Sequence, residues 1–168
     1  MEKRGVKILL NAPIIKGVVG WVDLRSNEVE RQLQEFSQHH KFVGVRHVVQ
    51  DEPDNDFMLG EAFQRGIGQL KPFGLTYDIL IFPHQLPAAI QLVEQFPEQP
   101  FVLDHIAKPR IKERVLEPWR EQIQRLAQMP NCWCKVSGLV TEADWTGWKA
   151  DDFQPFLTRC LIASALTG

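Results

Sequence analysis

Short apolar runs and longer helix-spaced segments alternate along the chain, and this rhythm constrains the fold more than any other feature. The apolar runs begin near residues 17, 42, 75, 101 and 132, so successive runs start 25, 33, 26 and 31 residues apart. Each run is followed by a segment whose apolar residues recur at helical spacing. Strand–helix units of this length are typical of a mostly parallel sheet with right-handed crossover helices.

The apolar runs predict five strands, and the segments that follow them predict five helices. The strands are expected at residues 17–22, 42–45, 75–82, 101–103 and 132–136. The helices are expected at residues 26–39, 57–71, 87–96, 113–129 and 152–164. Two architectures share this rhythm: a complete five-stranded doubly wound sheet, and a piece of a (β/α)8 barrel. Because a whole barrel needs about 250 residues, the rhythm alone favours the doubly wound sheet.

The composition excludes several classes of protein. The chain has 168 residues, 44% of them apolar and 24% charged, with a net charge of −2, which fits one globular domain. The nearly balanced charge argues against a nucleic-acid binder. No apolar run approaches the roughly 18 residues of a membrane span, and the apolar run at residues 8–10 is too short for a signal peptide. Three cysteines are too few for a disulfide scaffold, so we expect a cytoplasmic protein.

Ionisable side chains are concentrated where the predicted strands end. Since both architectures bind ligands at the carboxyl ends of their strands, this distribution predicts a functional cleft there. In chain order, the strand ends carry Asp23 and Arg25, Arg46 and His47, His84 and Gln85, Asp104, His105 and Lys108, and Lys135 and Ser137. The other two histidines, His39 and His40, lie at a helix C-terminus, where the helix dipole favours a cation without any functional role.

His105 is the sharpest single candidate for a functional residue. Alternation along Phe101, Leu103 and His105 predicts that the three share one face of the strand, which is the interior face in a barrel. An imidazole at the mouth of a barrel can bind a metal or transfer a proton, although a packing role is the simpler alternative. Alternation directs Asp104 to the other side, where we expect it to fix a loop.

The remaining motifs of the sequence are weaker evidence for a functional site. Lys135 and Ser137 share one face of the last strand, where a lysine can hold a carboxylate or polarise a carbonyl. An ordinary ion pair is an equal alternative for Lys135. Cys132 and Cys134 lack the second cysteine pair of a structural zinc site. The chain contains neither a phosphate-binding loop motif nor a Gly-x-Ser-x-Gly motif.

Five stretches resemble the amidohydrolase-related family of TIM-barrel hydrolases, in the branch that includes sugar-lactone and sulfomuconolactone hydrolases. They are GVVGWVDL at 17–24, GVRHVVQDE at 44–52, PHQLP at 83–87, FVLDHIAKP at 101–109 and CKVSGLVTEADW at 134–145. The stretches occur in the order that the family shows. The resemblance covers about residues 16–160 and reverses the preference for a doubly wound sheet. It implies an α/β fold, a partial TIM barrel with about strands two to six, as a single incomplete domain over residues 1–168.

The resemblance implies hydrolysis of a lactone of a sugar acid or of a similar small carboxylate. Water attacks the carbonyl, a carboxylate acts as base, and histidines, arginines or a metal stabilise the oxyanion. His105 matches the strand-five histidine of the family's site, and His84 is the second catalytic candidate. His105 is also the implied ligand of a divalent, zinc-like metal. The candidates for substrate binding are Arg46, His47, Gln50, Lys135 and Glu142.

The chain also departs from the family pattern. The family carries His-x-His on strand one and a Ser-Asp-Trp-type aspartate on strand eight, and neither motif occurs here. We therefore expect a chain truncated at both ends, with open strand edges that favour self-association, and with uncertain activity. The expected partner is a small-molecule substrate, without nucleic acid or membrane. The alternatives are a non-catalytic or degenerate small-molecule-binding fragment, and an unrelated doubly wound domain.

Overall fold

A computed structural model describes residues 13–165, with side-chain surroundings through residue 158. Within this range, five parallel strands form one sheet in the order of the chain. The strands are β1 Val18–Gly20, β2 Phe42–His47, β3 Thr76–Ile79, β4 Phe101–Leu103 and β5 Cys132–Cys134. Sequential order is that of a β/α barrel, whereas a doubly wound sheet reverses its strand order at a switch point. The order therefore excludes the doubly wound alternative.

Between residues 13 and 165, five α-helices follow the strands, as the apolar spacing predicts. They are α1 Val29–Ser37, α2 Glu61–Ile67, α3 Leu86–Gln95, α4 Trp119–Ala127 and α5 Ala150–Ala165. The helix expected at residues 57–71 is divided, because Gly60 has an extended backbone between a 3₁₀ turn and α2. The helix expected at residues 113–129 begins only at Trp119. The strands expected at residues 75–82 and 132–136 are also shorter than predicted.

The hydrophobic core lies between the sheet and the helices. Alternate strand residues point to opposite sides of a sheet, and one set is buried against the helices. That set includes Val45, Tyr77, Ile79, Phe101 and Leu103. The other set forms what we call the open face, which includes Val19, Arg46, Asp78, Val102 and Trp133. In a closed barrel this face would line the interior.

The edges of the sheet are open in the part of the chain that the structure describes. Within residues 13–165, β1 pairs only with β2, and β5 pairs only with β4.

None of the helices in this range has the length and apolarity needed to cross a bilayer. The cytoplasmic location stays a prediction.

Candidate active site

Four charged side chains meet at the carboxyl end of the open face, and we call them the charge cluster. Arg46 on β2 donates a hydrogen bond to Oδ2 of Asp104 at 3.2 Å. Lys135, directly after β5, donates to Oδ1 of Asp104 at 2.8 Å and also bonds the carboxylate of Asp78 on β3. Both carboxylates are buried, whereas the side chains of Arg46 and Lys135 are 42% and 44% exposed. Two cations and two carboxylates therefore compensate each other across four strands.

Burial and hydrogen bonding shift the pKa values of Asp78 and Lys135 in this cluster. Burial raises the pKa of Asp78 above the usual value, because the buried carboxylate loses its hydration, and the hydrogen bond from Lys135 offsets only part of that effect. Burial would lower the pKa of Lys135, but hydrogen bonds to Asp104 and Asp78 outweigh it and raise that pKa. The ammonium of Lys135 is thus occupied by two carboxylates, which is the ion-pair alternative foreseen for this residue.

The chain after β4 passes through a left-handed turn at residues 105–108. Their φ angles lie between 47° and 56°, and none of the four residues is glycine. This conformation costs L-residues about 1–2 kcal/mol each, so neighbouring contacts must hold it. Nε1 of the buried Trp119 donates to the carbonyl of Ile106 at 2.7 Å. The backbone N–H of Ile106 donates to the carbonyl of Lys135 at 3.2 Å, which fixes the turn against the end of β5.

The left-handed turn corrects the predicted orientation of His105. Strand β4 ends at Leu103, so strand alternation no longer applies at His105. Phe101 and Leu103 belong to the buried core under the helices, and the prediction that His105 shares a barrel-interior face with them is wrong. Asp104 lies on the side opposite Phe101 and Leu103, as alternation predicts, but that side is the open face, where Asp104 is a buried carboxylate of the charge cluster.

The His105 ring lies against the segment that follows β5. Its Nδ1 is 2.8 Å from Oγ of Ser137. Gly138 has a φ of +69°, and a Cβ added there would lie 2.8 Å from Cγ and Nδ1 of His105. Nε2 of His105 forms no hydrogen bond within the described residues. The partly exposed ring therefore presents one free nitrogen.

A cleft of about 610 Å³ borders the left-handed turn. Its lining includes His84, Lys108 and Glu142, together with the aromatic rings of Phe82 and Trp145. His84 stacks on Phe82 with ring centroids 6.0 Å apart, and Nζ of Lys108 lies 5.1 Å from the Phe82 centroid. Trp145 is 77% exposed. The cleft thus combines an imidazole, a cation, a carboxylate and an open aromatic face, but His105 is not part of its lining.

Two predicted substrate-binding residues are already bonded within the protein. Nε2 of His47 lies 2.6 Å from Oε1 of Glu52, and Nδ1 accepts a hydrogen bond from Trp21 at 3.4 Å. His47 alternates with Arg46 along β2 and is buried, so it lies on the helix side of the sheet. Gln50 accepts a hydrogen bond from Lys108 at 2.6 Å and thereby positions this lysine at the cleft. Substrate binding by His47 and Gln50 stays a prediction.

Two members of the charge cluster, Asp78 and Asp104, were not among the predicted site residues. A signal for Asp78 exists, because it interrupts an otherwise apolar strand, where a carboxylate needs a partner. Asp104 follows a strand directly, but the role expected of it there was to fix a loop. The left-handed turn has no signal at all, since residues 105–108 contain neither glycine nor asparagine.

Comparison with known proteins decides the family. A family model described as Amidohydrolase matches residues 6–166. The chain is a member of the amidohydrolase family. It is 38% identical over 157 residues to an L-fucono-1,5-lactonase of Burkholderia multivorans, covering 89% of this chain and 52% of that protein. An L-fucono-1,5-lactonase of Burkholderia ambifaria is 36% identical over 129 residues, which cover 77% of this chain and 44% of that protein.

A solved structure extends the comparison to the fold. The crystal structure of an amidohydrolase from Burkholderia multivorans with bound zinc matches this amidohydrolase with a TM-score of 0.85 at 36% identity. The match covers 96% of this chain and 57% of that one. The prediction of a partial barrel is thereby confirmed. This amidohydrolase spans about half the length of the curated relatives it matches.

The zinc in that relative raises the question of which residues here fit a metal. In the described part of this amidohydrolase, no group of three or more His, Cys, Asp or Glu side chains could hold a metal ion. His105 supplies one free nitrogen, but the nearest carboxylate in the chain, that of Asp104, is bound within the charge cluster. These residues alone do not fit a complete zinc site. Metal binding through His105 stays a prediction.

Proposed function

We propose that this amidohydrolase carries part of a lactone-hydrolysing active site and that its substrate is a lactone of a sugar acid. The observation that carries the proposal is the 38% identity to an L-fucono-1,5-lactonase over 89% of the chain. In such a reaction, the oxygen of water bonds to the carbonyl carbon and a base takes its proton. The ring C–O bond then breaks, and the leaving oxygen takes a proton to give the open hydroxy acid.

His105 is the proposed catalytic residue. Its Nε2 is free to accept or donate a proton, or to polarise the lactone carbonyl. His84 is the second candidate, in the neighbouring cleft with Lys108. The Lys108 cation, fixed by Gln50, is suited to stabilising the negative charge that develops on the carbonyl oxygen. The carboxylates of Asp78 and Asp104 are bound by cations, so we assign them to positioning rather than to activation of water.

Substrate binding is proposed along the cleft and its border with the open face. Trp145 presents an exposed aromatic face on which the C–H face of a sugar ring can stack. Glu142 lines the same cleft and can accept hydrogen bonds from sugar hydroxyls. Arg46 and Lys135 remain about half exposed at the charge cluster, where a substrate carboxylate or hydroxyl can approach them.

The proposal is tested by acid release from freshly dissolved L-fucono-1,5-lactone in weak buffer, with a linear ester of a hydroxy acid as control. We expect the amidohydrolase to accelerate opening of the lactone above its spontaneous rate, and not to accelerate hydrolysis of the linear ester. Absence of any acceleration would overturn catalysis. Stabilisation against heat by the lactone or its acid, without turnover, would instead support the alternative of a non-catalytic binding fragment.

We further propose that this amidohydrolase associates with itself through the open sheet. Unpaired strand edges and exposed apolar side chains favour association. On the open face, Trp133 on the edge strand β5 is 58% exposed, and Val19 on the other edge strand, β1, is 37% exposed. Sedimentation velocity is expected to show concentration-dependent association that Trp133→Lys weakens. A wild-type chain that stays monomeric at all concentrations would contradict this proposal.

A further inference from the structure

We propose that Ser137 and Gly138 are positioning residues, which hold the His105 imidazole with its proton on Nδ1 and a lone pair on Nε2. The inference rests on the proposed role of His105 and deepens it. A neutral imidazole carries one proton, and the partner of one ring nitrogen decides which nitrogen carries it. Oγ of Ser137 lies 2.8 Å from Nδ1 of His105, at hydrogen-bond distance.

The exposure of Ser137 allows its hydroxyl to act as the acceptor in this pair. Ser137 is exposed, so its own O–H can donate to water while a lone pair of Oγ accepts the Nδ1–H of His105. Within the described residues, Nε2 has no hydrogen-bond partner that would compete for a lone pair. The free lone pair is what a proton, a metal ion or an electrophilic centre of the substrate would meet.

Gly138 supplies the space for the ring. A Cβ at this position would lie 2.8 Å from Cγ and Nδ1 of His105, and 3.0 Å from its Cβ. Carbon atoms do not approach an imidazole so closely, so any side chain at position 138 would displace the ring from Ser137. The positive φ of Gly138 adds a second reason for glycine at this position.

The segment of residues 135–138 also holds the backbone beside His105 in place. The carbonyl of Lys135 accepts the backbone N–H of Ile106, while Ser137 bonds the ring two residues further along. On the other side, Trp119 holds the carbonyl of Ile106. Residues 135–138 therefore fix both the backbone of the left-handed turn and the imidazole that it carries.

The test measures the position of the proton directly. Histidine ¹⁵N shifts are recorded for the full chain in metal-free buffer at about pH 8.5, about two units above the pKa of histidine in model peptides. His105→Ala assigns the signals of His105 among the five histidines. We expect Nδ1 to be protonated in the wild type. Ser137→Ala should move the tautomer ratio about fivefold to tenfold toward Nε2–H, the form that free histidine favours in water. Ser137→Thr, which keeps the hydroxyl, should restore the wild-type ratio.

Gly74 provides a matched control for Gly138. The φ angles are +66° and +69°, but nothing lies within 4 Å of a Cβ added at position 74. Both alanine substitutions therefore strain the backbone alike, and only Gly138→Ala meets the His105 ring. We expect Gly138→Ala to change the His105 signals and Gly74→Ala to leave them unchanged, even where both lower the melting temperature.

The inference is overturned if wild-type His105 carries its proton on Nε2, or if Ser137→Ala and Gly138→Ala both leave its signals unchanged. The lactone assay separates this result from the proposed function. If the tautomer depends on Ser137 but the wild type opens no lactone, the positioning role stands and the proposed function fails. If the wild type is active, Ser137→Ala should lower kcat with little change in KM, and Ser137→Thr should recover it.

Discussion

Lys135 donates a hydrogen bond to Oδ1 of Asp104 across 2.8 Å, and this bond joins the segment after β5 to the end of β4. The other oxygen of Asp104 accepts a hydrogen bond from Arg46 on β2 at 3.2 Å. A buried carboxylate without such partners would cost several kcal/mol. The charge cluster therefore stabilises the carboxyl ends of neighbouring strands, where the left-handed turn and the cleft begin.

Substitution of Lys135 by methionine should destabilise the fold, because it leaves the buried carboxylates of Asp78 and Asp104 without their shared cation. We expect the free energy of unfolding to fall by about 2–3 kcal/mol, below the full effect of breaking a buried pair, since the Lys135 side chain is 44% exposed. The control is Lys71→Met, because the pair of Lys71 with Glu98 is 54% and 78% exposed and should contribute less than about 1 kcal/mol. Urea denaturation measures the free energy of unfolding of both variants. An equal decrease in the two would contradict the stabilising role of the charge cluster.

Alkaline pH should unfold the protein through its single tyrosine. Burial raises the pKa of Tyr77 far above its usual value, because the phenolate would lose its hydration in the core. In the unfolded chain Tyr77 ionises near pH 10, so the unfolded state releases a proton that the folded state retains. Stability is therefore unaffected by this group below about pH 9 and falls as pH rises above about 10.

The alkaline titration is followed by tyrosinate absorbance and by circular dichroism on the same sample. We expect the two signals to change together, because Tyr77 ionises only when the core opens. Tyr77→Phe removes the phenol and should keep more of its stability at high pH. Tyrosinate absorbance that rises near pH 10 while the helical signal stays intact would refute the assignment of Tyr77 to the closed core.

Loss of the indole N–H at Trp119 should weaken the left-handed turn. Trp119→Phe leaves the buried carbonyl of Ile106 without its hydrogen-bond donor and also reduces the packed volume. We expect the free energy of unfolding to fall by about 2–3 kcal/mol. Trp145→Phe removes a comparable hydrogen bond, to the carbonyl of Thr141 at 3.0 Å, from an exposed position. In this control variant, the free energy of unfolding should fall by less than about 0.5 kcal/mol. Similar melting temperatures for the two variants would show that the turn does not depend on Trp119.

The rhythm of apolar runs predicted the order and type of the elements well, because each strand and helix buries one face against the same core. The strand at 101–103 is found with its predicted bounds as β4. The rhythm alone did not select the partial barrel; the resemblance to a family did. Helix bounds differ more: the helix predicted at 113–129 is α4 at Trp119–Ala127, since apolar spacing alone does not mark where a helix begins.

The candidate site was predicted less completely, for a physical reason. Polar residues at strand ends predicted the edge of the sheet at which the charge cluster lies, including Arg46 and Lys135. The orientation of His105 could not be predicted, because a non-glycine left-handed turn depends on contacts with Trp119 and Lys135, which are distant along the chain. Patterns of period two describe strands, and they lose their meaning where a strand ends.

The rate at which wild type and His105→Ala open L-fucono-1,5-lactone tests the central claim most directly. His40→Ala is the matched control, since His40 lies between α1 and the start of β2, away from the carboxyl ends of the strands. We predict that the wild type accelerates the reaction, that His105→Ala loses about 100-fold or more of this acceleration while unfolding at the same urea concentration, and that His40→Ala matches the wild type. A wild type without any acceleration, or a His105→Ala variant as fast as the wild type, would contradict the account.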